Sequence, residues 1–225
     1  MNKLSESMIL QGQAGALACL VDYPDPQLLS QQHSGWAFIC HPHPLFGGTM
    51  DNKVVQTLAR AYVGCGWRVL RFNFRGVGGS EGVHDGGVGE AADLLSIINQ
   101  IAPKGPISIA GFSFGAFVAS HAVEKLHAQG RSKAGEELGE LRKIILVGTA
   151  TTRFDVRPIP AELQNHTLVI HGEQDDTVPL SSVMQWAEPQ VLPVTVIPAV
   201  GHFFHGQLPL LKSLVIRHLT AQIQN

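Results

Sequence analysis

The stretch Ile107-Ser108-Ile109-Ala110-Gly111-Phe112-Ser113-Phe114-Gly115 decides the fold. A short run of strand formers ends in G-x-S-x-G, and Ala116-Phe117-Val118-Ala119 then opens a helical pattern. Gly111 and Gly115 sit two positions either side of Ser113, which is what a sharp strand-to-helix turn needs: a strained backbone at the serine, and no side chains between strand and helix. Such a turn lifts the serine hydroxyl above the sheet edge. It also aims the Phe114 amide, at a helix N-terminus, at charge forming on a bound carbonyl oxygen.

The same alternation extends to both sides. Upstream, Trp36-Ala37-Phe38-Ile39-Cys40 is a buried strand running into His41-Pro42-His43-Pro44-Leu45-Phe46-Gly47-Gly48. Thr49 or Asp51 caps a helix through about Val63, and Gly64 and Gly66 end it. Trp67 to Phe74 is a strand followed by the glycine-rich loop Gly76 to Gly89. Glu90 to Ile101 has helical spacing, with Ala91, Leu94, Leu95, Ile98 and Ile101 on one face. Before all of these, Met8-Ile9-Leu10 and Ala16 to Val21 flank Gln11 to Gly15 and read as an antiparallel hairpin at a sheet edge. Asp22 to Ser34, with two prolines, is a loop.

Downstream, a helix runs to about Ala128 and Gln129 to Glu140 is a polar surface excursion. Strands at Lys143 to Val147, His166 to Ile170 and Val194 to Ile197 follow, with helices at Leu180 to Trp186 and Leu208 to Gln222. Strands alternating with helices predict crossover connections, a mostly parallel sheet and helices on both faces. Ligands of such sheets bind beyond the C-terminal ends of the strands, where His43, Arg75, Ser113, Asp175 and His202 all fall.

The chain of 225 residues is expected to form one domain over residues 1–225. A net charge of −2 favours neither nucleic acid nor an anionic membrane surface as partner. An apolar share of 44% with 15% charged residues reads as globular. Cys19, Cys40 and Cys65 lie far apart and imply no disulfide framework, so a reducing compartment is expected. With no signal-peptide pattern in Met1 to Leu10 and no run of about 20 apolar residues, the expectation is a soluble cytoplasmic protein.

A serine hydroxyl needs a base, usually a histidine held in one tautomer by a carboxylate. On a doubly wound scaffold the chain order is nucleophile, acid, histidine. His171-Gly172-Glu173-Gln174-Asp175-Asp176-Thr177-Val178-Pro179 follows one strand, and Gly201-His202-Phe203-Phe204-His205 follows the last. Asp175 competes with Asp176, and His202 with His205.

G-x-S-x-G, the G-x-x-D-x-x-V-P of Gly172, Asp175, Val178 and Pro179, and the late G-H-F-F resemble the α/β-hydrolase superfamily. The likeness is to small lidless serine hydrolases of the dienelactone-hydrolase-like or carboxylesterase type. His41 to Gly48 and Arg71-Phe72-Asn73-Phe74-Arg75-Gly76 share it, so it covers most of the chain. It implies an α/β-hydrolase fold, a mostly parallel doubly wound sheet with an antiparallel N-terminal edge hairpin. It also implies Ser113, Asp175 and His202 as the catalytic residues: the motif's spacing favours Asp175 over Asp176, and Gly201 with the following aromatics favours His202 over His205. Dienelactone hydrolases proper carry cysteine where Ser113 stands, which argues against a dienelactone substrate and leaves acyl transfer intact.

The second oxyanion donor is expected from His41 to Gly48. Pro42 and Pro44 have no N–H, which leaves His43 and Leu45. His33, His84, His121, His127, His166 and His218 read as structural or solvated. A metal site at His41 and His43 with Asp175 or His202 lacks ligand spacing, because alternate residues of an extended segment point apart. A dinucleotide site fails because Glu81 occupies the third glycine position counted from Gly76. Arg75 either binds at the rim or holds the glycine-rich loop through ion pairs.

The sequence thus predicts a serine hydrolase that needs no metal or other cofactor and cleaves small carboxylic esters or thioesters. The alternatives are a peptidase or amidase of the same fold, and a hydrolase-like protein that only binds. Thr149 to Gln164 is too short for a cap domain, so an open pocket for short acyl groups is expected.

Overall fold

The computed structural model describes residues 4–28, 35–130 and 140–221. His33, Gln222, most of the excursion from Gln129 to Glu140 and the end of the loop from Asp22 to Ser34 lie outside the described residues. The strands are β1 (Ser5–Gly12), β2 (Gly15–Asp22), β3 (Trp36–Cys40), β4 (Arg68–Phe72), β5 (Ile107–Phe112), β6 (Leu141–Val147), β7 (Thr167–Gly172) and β8 (Val194–Ile197). The helices are α1 (Lys53–Gly64), α2 (Val88–Ile101), α3 (Phe114–Ala128), α4 (Ala161–Gln164), α5 (Leu180–Ala187) and α6 (Leu208–Thr220).

The strands form one sheet in the order β1-β2-β4-β3-β5-β6-β7-β8. β1 pairs antiparallel with β2, and β2 antiparallel with β4; every later pairing is parallel. Every residue of β5 is buried between β3 and β6, which is why its sequence is almost continuously apolar. Its side chains still divide by face with a period of two. Ile107 and Ile109 join α2 and α3 in one core layer; Ala110 and Phe112 join α1 and α6 in the other. Ser108 is tolerated on the second face because its hydroxyl meets Tyr62 Oη (2.6 Å) and donates to the Lys143 carbonyl (2.7 Å).

Two local expectations are corrected. The edge strands continue to Gly12 and resume at Gly15, so the turn is Gln13-Ala14 rather than five residues; backbone pairing persists past the apolar positions. α1 is capped by Asn52, whose side chain accepts from the Val54 amide at 2.9 Å, not by Thr49 or Asp51; the Thr49 hydroxyl instead accepts from the Asp51 amide.

Arg75 holds its loop. Its guanidinium donates to Asp93 through Nε (2.7 Å) and Nη2 (2.8 Å), and to the Gly89 carbonyl (2.9 Å). Asp93 is fully buried and also accepts from the Gln13 amide, so one carboxylate ties the edge hairpin, the glycine-rich loop and α2 together. Asp93→Ala leaves a buried guanidinium without its main partner, and is expected to cost about 3–5 kcal/mol of unfolding free energy in urea titration. A loss below about 1 kcal/mol would contradict this role.

Among the described residues no helix is long and apolar enough to cross a membrane. From β6, residues 148–160 reach α4 without an inserted helix, so this connection supplies no cap over the C-terminal ends of the central strands.

Candidate active site

Ser113 joins β5 to α3 with φ 57° and ψ −118°, a left-handed conformation that costs a non-glycine residue on the order of 1–3 kcal/mol. The two flanking glycines make the turn possible. A Cβ at Gly115 would lie 2.2 Å from the Cys40 carbonyl oxygen, and one at Gly111 would lie 2.2 Å from that of Gly115. β5, α3 and the end of β3 therefore approach backbone to backbone, and the hydroxyl stands at the floor of a cleft.

The cleft brings the expected residues into series. His202 Nε2 lies 3.0 Å from Ser113 Oγ, and His202 Nδ1 lies 2.7 Å from Asp175 Oδ2. Oδ1 of the same carboxylate accepts the amides of Thr177 (3.0 Å) and Val178 (2.7 Å). The imidazole packs against Phe112 and Phe203, with ring centroids 4.9 and 5.1 Å away, and its loop is anchored by the fully buried Phe204. A hydroxyl, an imidazole and a carboxylate so joined can pass the hydroxyl proton to the ring while the carboxylate stabilises the charged ring.

The competitors lie elsewhere. Asp176 is exposed, and among the described residues its carboxylate accepts only the Thr177 hydroxyl. His205 is exposed, with its ring 6.0 Å from that of Phe203.

The Phe114 amide begins α3, where the first amides have no partner within the helix. In the loop after β3 the Leu45 amide donates to His43 Nδ1 (3.2 Å), and the Phe46 and Gly48 amides donate to the His43 carbonyl. The His43 amide makes no hydrogen bond to any described residue. Behind it His41 is fully buried: its Nδ1–H donates to the Pro42 carbonyl (2.6 Å) and its Nε2 accepts the Phe74 amide (3.0 Å).

Burial lowers the His41 pKa to about 4, the proline carbonyl opposing that shift only in part. Unfolded, the same ring takes a proton near pH 6.5. Its contribution to stability is therefore complete above about pH 6.5 and lost as pH falls towards 4, a swing of roughly 3 kcal/mol. The urea midpoint should fall across that window, and fall less steeply in His41→Asn. Equal slopes in the two proteins would contradict the assignment.

Three groups near the site carried no role in the sequence. His171 is fully buried beneath Asp175: its Nε2 lies 2.8 Å from the Val178 carbonyl and 3.4 Å from Asp175 Oδ2, and its Nδ1 has no hydrogen-bond partner among the described residues. Burial holds its pKa down, so it is a neutral ring that donates from Nε2. His84, read as structural or solvated, bonds the buried Glu90 carboxylate (2.8 Å) and packs 4.9 Å from the His43 ring. Arg153 lines the cleft. Only its position in the fold reveals it, since nothing in Thr151-Thr152-Arg153-Phe154 forms a motif.

A cavity of about 350 Å³ at the site is lined by Pro42, His43, Phe46, Ser113, Arg153 and Phe203 among others. Among the described residues no group of three or more His, Cys, Asp or Glu side chains could hold a metal ion. Cys19 and Cys40 are buried, which pushes their thiols up, that of Cys19 to about 12.

The family model described as serine hydrolase (FSH1) matches residues 84–204, which contain Ser113, Asp175 and His202. The chain is similar to a serine hydrolase without a lid from Xanthomonas campestris, at 32% identity and a TM-score of 0.81, over 99% of each chain. It is also similar to an α/β serine hydrolase homologue from Coxiella burnetii, at 34% identity and a TM-score of 0.77, over 98% of this chain and 99% of that one. An uncharacterised protein of Rickettsia prowazekii is 46% identical over 91 residues, 39% of this chain; the match spans only 38% of that relative's length.

Proposed function

The chain belongs to the FSH1 family of α/β serine hydrolases, lidless in form, and we propose that it cleaves short-acyl carboxylic esters or thioesters through a covalent acyl-enzyme. The reading rests on one observation above the others: the unbroken series from Ser113 Oγ through both His202 nitrogens to Asp175, at 3.0 and 2.7 Å.

In this mechanism Ser113 Oγ attacks the acyl carbon as its proton passes to His202 Nε2. Asp175 keeps Nδ1 protonated and balances the imidazolium. The tetrahedral oxyanion is held by the Phe114 and His43 amides; Leu45 is the weaker candidate because its amide already donates to the His43 ring. The proton then passes to the departing alkoxide or thiolate. Water, activated by the same imidazole, attacks the acyl-enzyme and frees Ser113. The cleft of about 350 Å³ supports small substrates, since no inserted helix among the described residues 148–160 encloses a long chain.

The test is a panel of p-nitrophenyl esters from acetate to palmitate, acyl thioesters and anilides, with labelling by a serine-directed fluorophosphonate. Labelling that maps to Ser113, with turnover falling beyond medium chain length, is expected. An unlabelled Ser113 in a folded protein, or preference for long-chain lipids, would overturn the proposal.

A further inference from the structure

Four of the eight described arginines are matched by carboxylates. Arg71 pairs with Asp22, Arg75 with Asp93, and Arg142 with Glu140. Arg157, in the same connection after β6 as Arg153, meets Asp155 (2.9 Å) and Glu124 (3.4 Å). Arg153 has no ion pair with any described residue. It is also the one of these that lines the cleft: Arg153 and Ser113 border both the cavity of about 350 Å³ and a smaller recess of about 50 Å³ beside it.

The surroundings make that cation consequential. Among the described residues no Asp or Glu lines either hollow; the other walls include apolar rings, Ala150 and Val178, backbone, imidazoles, the Asn52 amide and the Ser113, Thr152 and Thr177 hydroxyls. Its backbone is held on both sides. Phe154 stacks on Phe117 (4.9 Å) and meets Phe114 edge-on (5.1 Å), while the Thr151 hydroxyl donates to Ser182 (2.8 Å). The guanidinium is close enough to bear on the His43 ring, whose pKa is lowered by burial first, then by His84, and also by Arg153.

We propose that the substrate carries a carboxylate as well as the scissile ester, and that Arg153 binds this carboxylate at the wall of the cleft. An unmatched guanidinium beside a largely apolar hollow offers a planar, two-pronged donor to a carboxylate, with Thr152 and Thr177 to complete its hydrogen bonding. One cation suits a monoanion; a doubly charged phosphate would call for a second, and among the described residues no other Lys or Arg lines the cleft. The proposal rests on the ester-hydrolase reading of Ser113 and goes beyond it by naming the substrate class.

The test compares wild type, Arg153→Gln and Arg153→Lys on two matched pairs. Mono-4-nitrophenyl glutarate against 4-nitrophenyl pentanoate places the charge on the acyl side. 4-Acetoxybenzoate against phenyl acetate places it on the leaving group. Rates are corrected for uncatalysed hydrolysis, and melting curves verify the fold of each variant. In at least one pair, wild type should favour the anion in kcat/KM. Arg153→Gln should lower that charged-to-neutral ratio by roughly tenfold to a hundredfold, mainly through KM, with Arg153→Lys between the two. Added salt should erode the wild-type preference but not the residual ratio in Arg153→Gln.

A charged-to-neutral ratio that Arg153→Gln leaves unchanged, or a wild type that disfavours the anion in both pairs, overturns the carboxylate proposal alone. Absence of Ser113-dependent hydrolysis of all four esters overturns the ester reading and this proposal with it.

Discussion

Ser113→Ala is expected to lower ester turnover by about 10⁶-fold, as removal of a nucleophile acting in concert with its base does elsewhere. The change deletes one oxygen at a position only 8% exposed and alters no backbone hydrogen bond. Alanine has the same difficulty as serine at φ 57°, so the strain of the turn is unchanged. The melting temperature should therefore shift little while activity collapses. Progress curves at high enzyme concentration and a calorimetric scan together measure both. Residual activity above about 1% in a folded variant would exclude Ser113 as the nucleophile.

Asp175→Asn should cost about 10⁴-fold in kcat, comparable to the same exchange in another triad. The direction follows from the hydrogen bonds around the carboxylate. Oδ1 accepts two backbone amides, from Thr177 and Val178, and an NH₂ group cannot take its place there. The asparagine must then point its NH₂ at His202 Nδ1, where Oδ2 accepts at 2.7 Å in the native chain. That drives the ring proton to Nε2, the atom that has to receive the proton of Ser113. Asp176→Asn disturbs only an exposed carboxylate and should change kcat less than about twofold. If the two variants exchange these outcomes, the acid has been assigned to the wrong neighbour.

Much of this architecture is legible in the sequence because local signals and tertiary demands agree. β5 could be nothing but a central strand, and glycines at 111 and 115 have few other uses around a serine. The three expected site residues stand out because each lies on the loop that follows its own strand, and such loops share one edge of a parallel sheet. What escaped notice depends on side chains meeting across the sequence. Arg75 finds Asp93 across eighteen positions, a pairing no pattern announces. The Leu45 amide is withdrawn by the His43 ring, which only the short helical turn Pro44–Phe46 arranges. Arg153 lacks the carboxylate neighbours that Arg157 has, and His84 packs on the His43 ring while its Nδ1 bonds Glu90. Asn52 rather than Thr49 or Asp51 caps α1, since all three are competent caps and the entry angle of the chain chooses among them.

The elbow's backbone-to-backbone contacts also divide the molecule into parts that can and cannot diversify. Any side chain at 111 or 115 collides with main-chain atoms, so the reactive centre is closed to gradual tuning from within. The walls impose no such veto: Phe46, Arg153, Thr177 and Phe203 are exposed and border the same hollow. Laboratory evolution confined to those four positions could therefore redirect substrate choice while the reacting atoms stay where they are.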